Sequence, residues 1–317
     1  MTTNGKNFLE QTEGGLPFPL KWVQTDPHAV EAILGRMSLP EQARCVMQAK
    51  GRQKQDLLLL SPRASELVRS LPPEEVYYMV KEIGEKDSLP VLSAISQEQL
   101  QYIFDVEWWR GDQFLPHRVV DWLTTLEKCG DAKILHWLVD EEIDQRVMVL
   151  QSLIKVFKDD EMTDSYEGVE GLASFSPDGV YNIFFRVDDA APVLSKFLTL
   201  LRDQHEDEFF TLMEAVIWYP VSSTVERAYR WRLARTSERG IPDFEEAYEV
   251  YSRLDPEALN VDVVSPEAFS RDGAYEIEPH YLIAQGNASA FLKRCLSRMR
   301  NQTRLGSIRW ELVYLAN

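Results

Sequence analysis

The chain has 317 residues, 44% of them hydrophobic and 27% charged, which is the balance of a folded protein rather than a disordered one. Its 51 acidic against 34 basic side chains leave a formal charge of −17, which repels nucleic acid and anionic membranes at long range, so neither is expected as a partner. Cys45, Cys129 and Cys295 lack CxxC spacing, which excludes a disulfide framework or a Cys-rich zinc module and fits a reducing cytoplasm; no run approaches the roughly 18 apolar residues of a membrane span.

In chain order, residues 1–19 are polar up to Leu16-Pro17-Phe18-Pro19 and read as a tail laid on the surface. Asp26-Pro27 is an N-cap followed by proline, with Val30, Ile33, Leu34 and Met37 at helical spacing behind it. Ser38-Leu39-Pro40-Glu41 starts the next helix. Residues 53–60, 62–69 and 72–83 continue as short helices divided by Ser-Pro and Leu-Pro-Pro. Strand-like alternation is nearly absent before residue 160.

Residues 66–80 (ELVRSLPPEEVYYMV) match residues 90–104 (PVLSAISQEQLQYIF) without gaps at an offset of 24 residues. Val68 falls on Leu92, Leu71 on Ile95, Val76 on Leu100 and Met79 on Ile103, which makes them equivalent core positions. A looser copy at residues 134–147 places Leu135, Leu138, Glu141 and Ile143 correspondingly. Short helices that cannot bury an apolar face alone, repeated at this period, predict a stacked helical array. The Leu-Pro-Pro-Glu-Glu pattern followed by an apolar helix, over about residues 58–158, resembles the superhelical intracellular N domain of MgtE-type magnesium transporters. That domain is in turn similar to the armadillo-like middle domain of the flagellar switch protein FliG. The whole chain is similar to an uncharacterised bacterial family carrying this module. The resemblance implies a mainly α fold of stacked armadillo-like superhelical repeats, right-handed in sense.

Between Asp140 and Asp189 there are 13 acidic and 4 basic residues, a net −9. Within this stretch Ser176-Pro177-Asp178-Gly179 separates two β-rich runs and predicts a hairpin at about 171–187. Helical spacing resumes from Val193 and again from Phe210. Ser222 or Ser223 is the expected cap of a helix running to Arg239 and stopped by Gly240-Ile241-Pro242; Asp243 caps the next. Residues 287–300 form a further helix. The expected organisation is therefore a tail (1–19), a helical-repeat domain (20–158), an acidic linker with β-hairpin (159–187) and a second helical domain (188–317). The last helix, from Ser307, spreads Ile308, Trp310, Val313 and Leu315 over more than one face. It therefore needs a further neighbour, and the expectation is a truncated chain or docking on a second copy.

The five histidines fall at no zinc spacing, no Gly-rich phosphate loop or nucleophile elbow occurs, and no cofactor is implied. An enzyme is thus not expected. Asp159, Asp160, Glu161 and Asp164 are weak metal candidates that fail the EF-hand register and read first as a solvated acidic linker. Glu74-Glu75 and Asp140-Glu141-Glu142 read as helix-opening carboxylates that favour the helix dipole. Two basic islands stand against the acidic background. Arg232, Arg235 and Arg239 fall within a sector of about 60° on one helix. Lys293, Arg294, Arg298 and Arg304 belong to a stretch, 279–310, without any acid. Either island suits an anion or a docking partner, or answers the acidic segment within the chain. Trp108-Trp109 read as a cap over the repeat core. The leading functional expectation is a non-catalytic protein-interaction or scaffold module. A Mg2+-responsive regulatory domain is the alternative that the resemblance implies, and an enzyme with an anion site at Arg232, Arg235 and Arg239 is the third.

Overall fold

The computed structural model describes residues 16–158, 168–169, 171–243, 246–248, 290–299, 301, 304–306 and 308. It is mainly helical, with antiparallel sheets of two and three strands. Two compact units are present, one of Met1–Leu100 with Gly240–Asn317 and one of Gln101–Arg239.

The first unit holds α1 (Trp22–Thr25), α2 (Pro27–Leu34), α3 (Leu39–Gln48), α4 (Arg52–Leu60), α5 (Ala64–Ser70), α6 (Pro73–Ile83), α7 (Leu89–Ala94) and the start of α8 (Gln97–Glu107). Local chemistry sets these boundaries. The Asp26 carboxylate accepts from Ala29 N–H at 3.3 Å, with Pro27 opening α2. The Glu41 carboxylate accepts from the N–H and hydroxyl of Ser38, both at 2.7 Å, which closes a capping box on α3. Alternate helices stack: α3 packs on α5 and α5 on α7, while α2 packs on α4 and α4 on α6. The 24-residue register holds, since Val68, Leu71, Val76, Met79, Leu92, Ile95, Leu100 and Ile103 are all buried. Leu16 and Phe18 are buried too, so the expected surface tail becomes core by Leu16. An apolar pair in so small a stack removes more free energy by burial than a solvated tail gains in disorder.

The second unit begins in α8. It continues through the hairpin β1 (Trp109–Arg110) and β2 (Gln113–Phe114), then α9 (Pro116–Glu127), α10 (Ala132–Asp140) and α11 (Ile143–Leu153). β3 (Ile154–Lys158), β4 (Ser174–Phe175) and β5 (Tyr181–Phe185) follow, then α12 (Ala191–Gln204), α13 (Glu206–Trp218) and α14 (Val221–Glu238). Helix α11 is the hub, packed against α9, α13 and α14 and buried from Gln145 to Gln151. The expected turn forms: Asp178 Oδ1 accepts from Val180 and Tyr181 N–H, each at 3.0 Å, and Gly179 takes φ +74. The sheet is larger than a hairpin, however. β5 lies between β4 and a strand, β3, within the stretch expected to lack strands. Ile154-Lys155-Val156-Phe157-Lys158 does alternate, but a five-residue run fused to the end of a helix shows no boundary in sequence. Helix α14 starts at Val221 on the Pro220 carbonyl, earlier than either serine cap would put it. Further along, Asp243 Oδ1 accepts from Glu246 N–H at 2.8 Å as the expected cap, and α15 covers Ala290–Arg298.

Three buried glutamines tie helix ends together in one recurring way. The amide nitrogen of Gln42 donates to the carbonyls of Leu34 and Met37 at 2.9 and 3.0 Å. That of Gln99 donates to Val68 and Leu71, both at 2.8 Å. That of Gln151 donates to Val216 and Tyr219 at 3.1 and 2.8 Å. Each clasp joins two carbonyls three residues apart at a helix C-terminus, and two of them, Leu34 and Val68, also accept the N–H of Met37 and Leu71. Each amide oxygen is satisfied in turn, by Ser61 Oγ, Ser96 N–H and Thr224 Oγ1. Gln99 is the 24-residue equivalent of Glu75, whose carboxylate pairs with Lys54 at 3.0 Å, both side chains almost wholly buried. Glu74 and Glu75 lie in the first turn of α6 as expected, and both are buried there.

Candidate functional site

The first basic island turns inward. Arg235 forks onto Asp105, Nε to Oδ2 at 2.7 Å and Nη2 to Oδ1 at 2.8 Å, and reaches Gln145 Oε1 at 2.9 Å. Gln101 adds a donor to Asp105 at 3.0 Å and accepts from Trp137 Nε1 at 3.1 Å. Arg232 donates Nε to the Asp105 carbonyl at 2.7 Å and lies over the rings of Trp109 and Tyr229. Arg239 lies over Tyr102. Burial pushes the Asp105 carboxyl above its usual range, against the pull of Arg235 and Gln101. The three arginines thus dock α14 onto α8, α11 and the β1–β2 hairpin. Their spacing on one face was legible; the acid they answer lies at Asp105, not in the acidic 140–189 segment alone, although Glu141 stands 3.8 Å from Arg235.

The second island shows exposed side chains at Arg294, Arg298 and Arg304; the Lys293 side chain lies outside the described residues. Asp159, Asp160, Glu161 and Asp164 lie outside them as well, as do Trp310, Val313 and Leu315. Among the described residues no group of His, Cys, Asp and Glu is arranged to hold a metal ion, and no helix is long and apolar enough to cross a membrane. His117 and His136 are exposed, His136 beside Asp140 at 2.5 Å. Trp108 is fully buried and stacked on Phe104 at 3.8 Å, within the core as expected. Cys45 is buried, and burial raises its thiol to about 11, which leaves it unreactive.

A concavity lies elsewhere in the same unit. A cleft of about 380 Å³ runs between β3 and the junction of α13 with α14. Its wall is the run Trp218-Tyr219-Pro220-Val221, where Trp218 is 62% exposed, Tyr219 38% and Val221 57%. These groups are held in place. Gln151 binds the Val216 and Tyr219 carbonyls, fixing the turn. Trp218 Nε1 donates to Glu214 Oε2 at 2.9 Å, and the same carboxylate accepts from Tyr181 Oη at 2.5 Å and pairs with Lys158. The Lys158 bond, followed by those from Tyr181 and Trp218, holds Glu214 below the usual carboxylate range. Arg227 covers the Tyr219 ring and is anchored on Asp144 at 2.7 Å. The cleft lining includes Lys155 and Arg186 and no carboxylate.

A family model described as a family of unknown function, DUF6178, matches residues 31–317. The chain belongs to that family. No curated protein and no solved structure matches it. The match begins inside α2 and runs beyond the repeats to residue 317.

Sequence reasoning did not find the cleft. Trp218 and Tyr219 follow the apolar helical spacing that resumes from Phe210, and nothing in that spacing marks them as exposed. The one available hint is Trp-Tyr-Pro-Val crossing a helix junction, where four bulky groups in succession cannot all face one interior.

Proposed function

We propose that this member of the family is a non-catalytic protein-interaction module and that the cleft beside β3 receives its partner. The observation that carries this is the exposed ridge from Trp218 to Val221, whose rings are pinned by Glu214 and Arg227 instead of folded inward. An exposed apolar group normally minimises its contact with water; one that is rigidly presented loses little entropy on binding, which favours recognition. Catalysis has less support, since Arg232 and Arg235 are already engaged by Asp105.

The test compares the proteins retained from native lysate by the wild-type chain and by Trp218→Asp/Val221→Asp, after melting curves establish that both fold. A set of proteins held by the first and lost by the second is the expected result. Identical retention by both removes the cleft from the reading.

A further inference from the structure

Helix α14 closes its unit, and it meets that unit through polar groups. Its buried residues are Thr224, Ala228 and Thr236, whereas α12 buries Val193, Phe197 and Leu201 among others and α13 buries Phe209, Leu212 and Met213. The groups that receive α14 are polar as well. Thr224 Oγ1 donates to Gln151 Oε1 at 2.8 Å, Arg227 pairs with Asp144 at 2.7 Å, and Arg232 and Arg235 end on Asp105. A helix docked by apolar burial forfeits the whole of that free energy when it lifts. One docked by hydrogen bonds and ion pairs trades them for bonds to water and forfeits only the difference. The attachment of α14 is therefore weaker than that of α12 or α13, and a local opening confined to it leaves their core intact.

Two of these contacts also hold the Trp218–Val221 ridge. Gln151 binds the Val216 and Tyr219 carbonyls through its nitrogen while its oxygen accepts from Thr224, and Arg227 lies over the Tyr219 ring while paired with Asp144. We propose, on the footing of the interaction-module reading above, that α14 is a latch: it lifts from α8 and α11 as one piece while the rest of the unit stays folded, and the ridge is in binding form only while the latch is down. Lifting takes Arg227 from Tyr219 and Thr224 from Gln151, so the ridge loses contacts that fix it and must be ordered again on binding. The coupling runs both ways. A partner seated on the ridge holds the helix down, and a lifted helix weakens the partner by the same factor.

Hydrogen exchange of the full chain, in urea below the unfolding transition, reads the latch directly. The amides from Val225 to Glu238 should exchange as one group, at least about tenfold faster than the slowest amides of α11, through an opening that urea promotes little. Exchange of α14 only together with α11 overturns the latch. Ala234→Pro, at an exposed position of α14, breaks the helix from its solvent side. It should abolish protection in α14 and leave α11 and α12 protected. It should also speed exchange at Tyr219, whose N–H bonds the Ala215 carbonyl beneath the ridge, by at least about tenfold. Loss of protection throughout the unit, or an unaltered Tyr219, overturns the proposal. Arg232→Gln leaves Arg235 on Asp105 and loosens the helix away from the ridge; it should raise exchange at Val225 and Ala228 together, and an effect confined to its own turn counts against a single piece. Lysate proteins lost with Trp218→Asp/Val221→Asp should be lost with Ala234→Pro too. Their retention by Ala234→Pro overturns the latch and leaves the interaction-module reading standing. Retention by every variant removes the ridge from that reading whatever the exchange shows, so the two failures are distinguishable.

Discussion

Helix α14 and the turn that precedes it invert each other's chemistry. Along the helix, Arg232 and Arg235, residues that favour water, are drawn into contact with Asp105 and the Trp109 ring. At the α13–α14 junction, Trp218 and Val221, residues that avoid water, stand more than half exposed. Residue type sets what a side chain gains from burial, but the neighbours brought by distant sequence decide which side of an element is interior. Asp105 lies 130 residues from Arg235.

Removing that acid's partner is the strongest way to break the contrast. Arg235→Ala leaves the Asp105 carboxylate buried and uncompensated and should cost about 3–5 kcal/mol in urea unfolding. Asp105→Leu/Arg235→Met should recover most of the loss, because burial already works against the charged pair. A loss for Arg235→Ala below about 1 kcal/mol would place this face with ordinary solvated arginines. Leu100→Ala supplies the scale of a plain core truncation, about 2–5 kcal/mol by the same measurement. Gln151→Ala should cost about 1–3 kcal/mol by leaving the Val216 and Tyr219 carbonyls unmet. It should also shift the near-UV signal of Trp218; an unchanged signal would mean that the ridge is set by α13 alone.

These effects also mark what the sequence made legible. Helix starts were readable at Asp26, Ser38 and Asp243 because a cap acts over three residues. The 24-residue match found eight core positions because repetition doubles a weak local pattern. The hairpin followed from Pro177-Asp178-Gly179. The Arg–Asp105 fork, the clasps of Gln99 and Gln151 and strand β3 were not readable, since each depends on pairing across long separations. Gln99 and Glu75 are the exception in principle: a polar residue at the same repeat position in a buried stripe signals an internal hydrogen bond.

Smaller effects sharpen the outward half of the contrast. Glu214 is held below its unfolded value of 4.5, so its contribution is present above that value and lost as the pH falls through the lower, folded one. Thermal melts between about pH 6 and pH 3 should show stability falling on acidification, with a shallower fall in Glu214→Gln. Equal slopes would detach this carboxylate from the ridge. Trp218→Ala should change stability least, within about 0.5 kcal/mol. A loss as large as that of Leu100→Ala would show the indole to be a core group after all.

The glutamine clasps bear on how the chain meets changes in salt. Exposed pairs such as Arg52–Asp87 weaken as salt is added. The mutual repulsion of a chain of net −17 grows as salt is withdrawn. An amide bound to two carbonyls carries no net charge and follows neither trend. The helix junctions at Gln42, Gln99 and Gln151 therefore keep their register at both extremes, a neutral frame inside a strongly charged molecule.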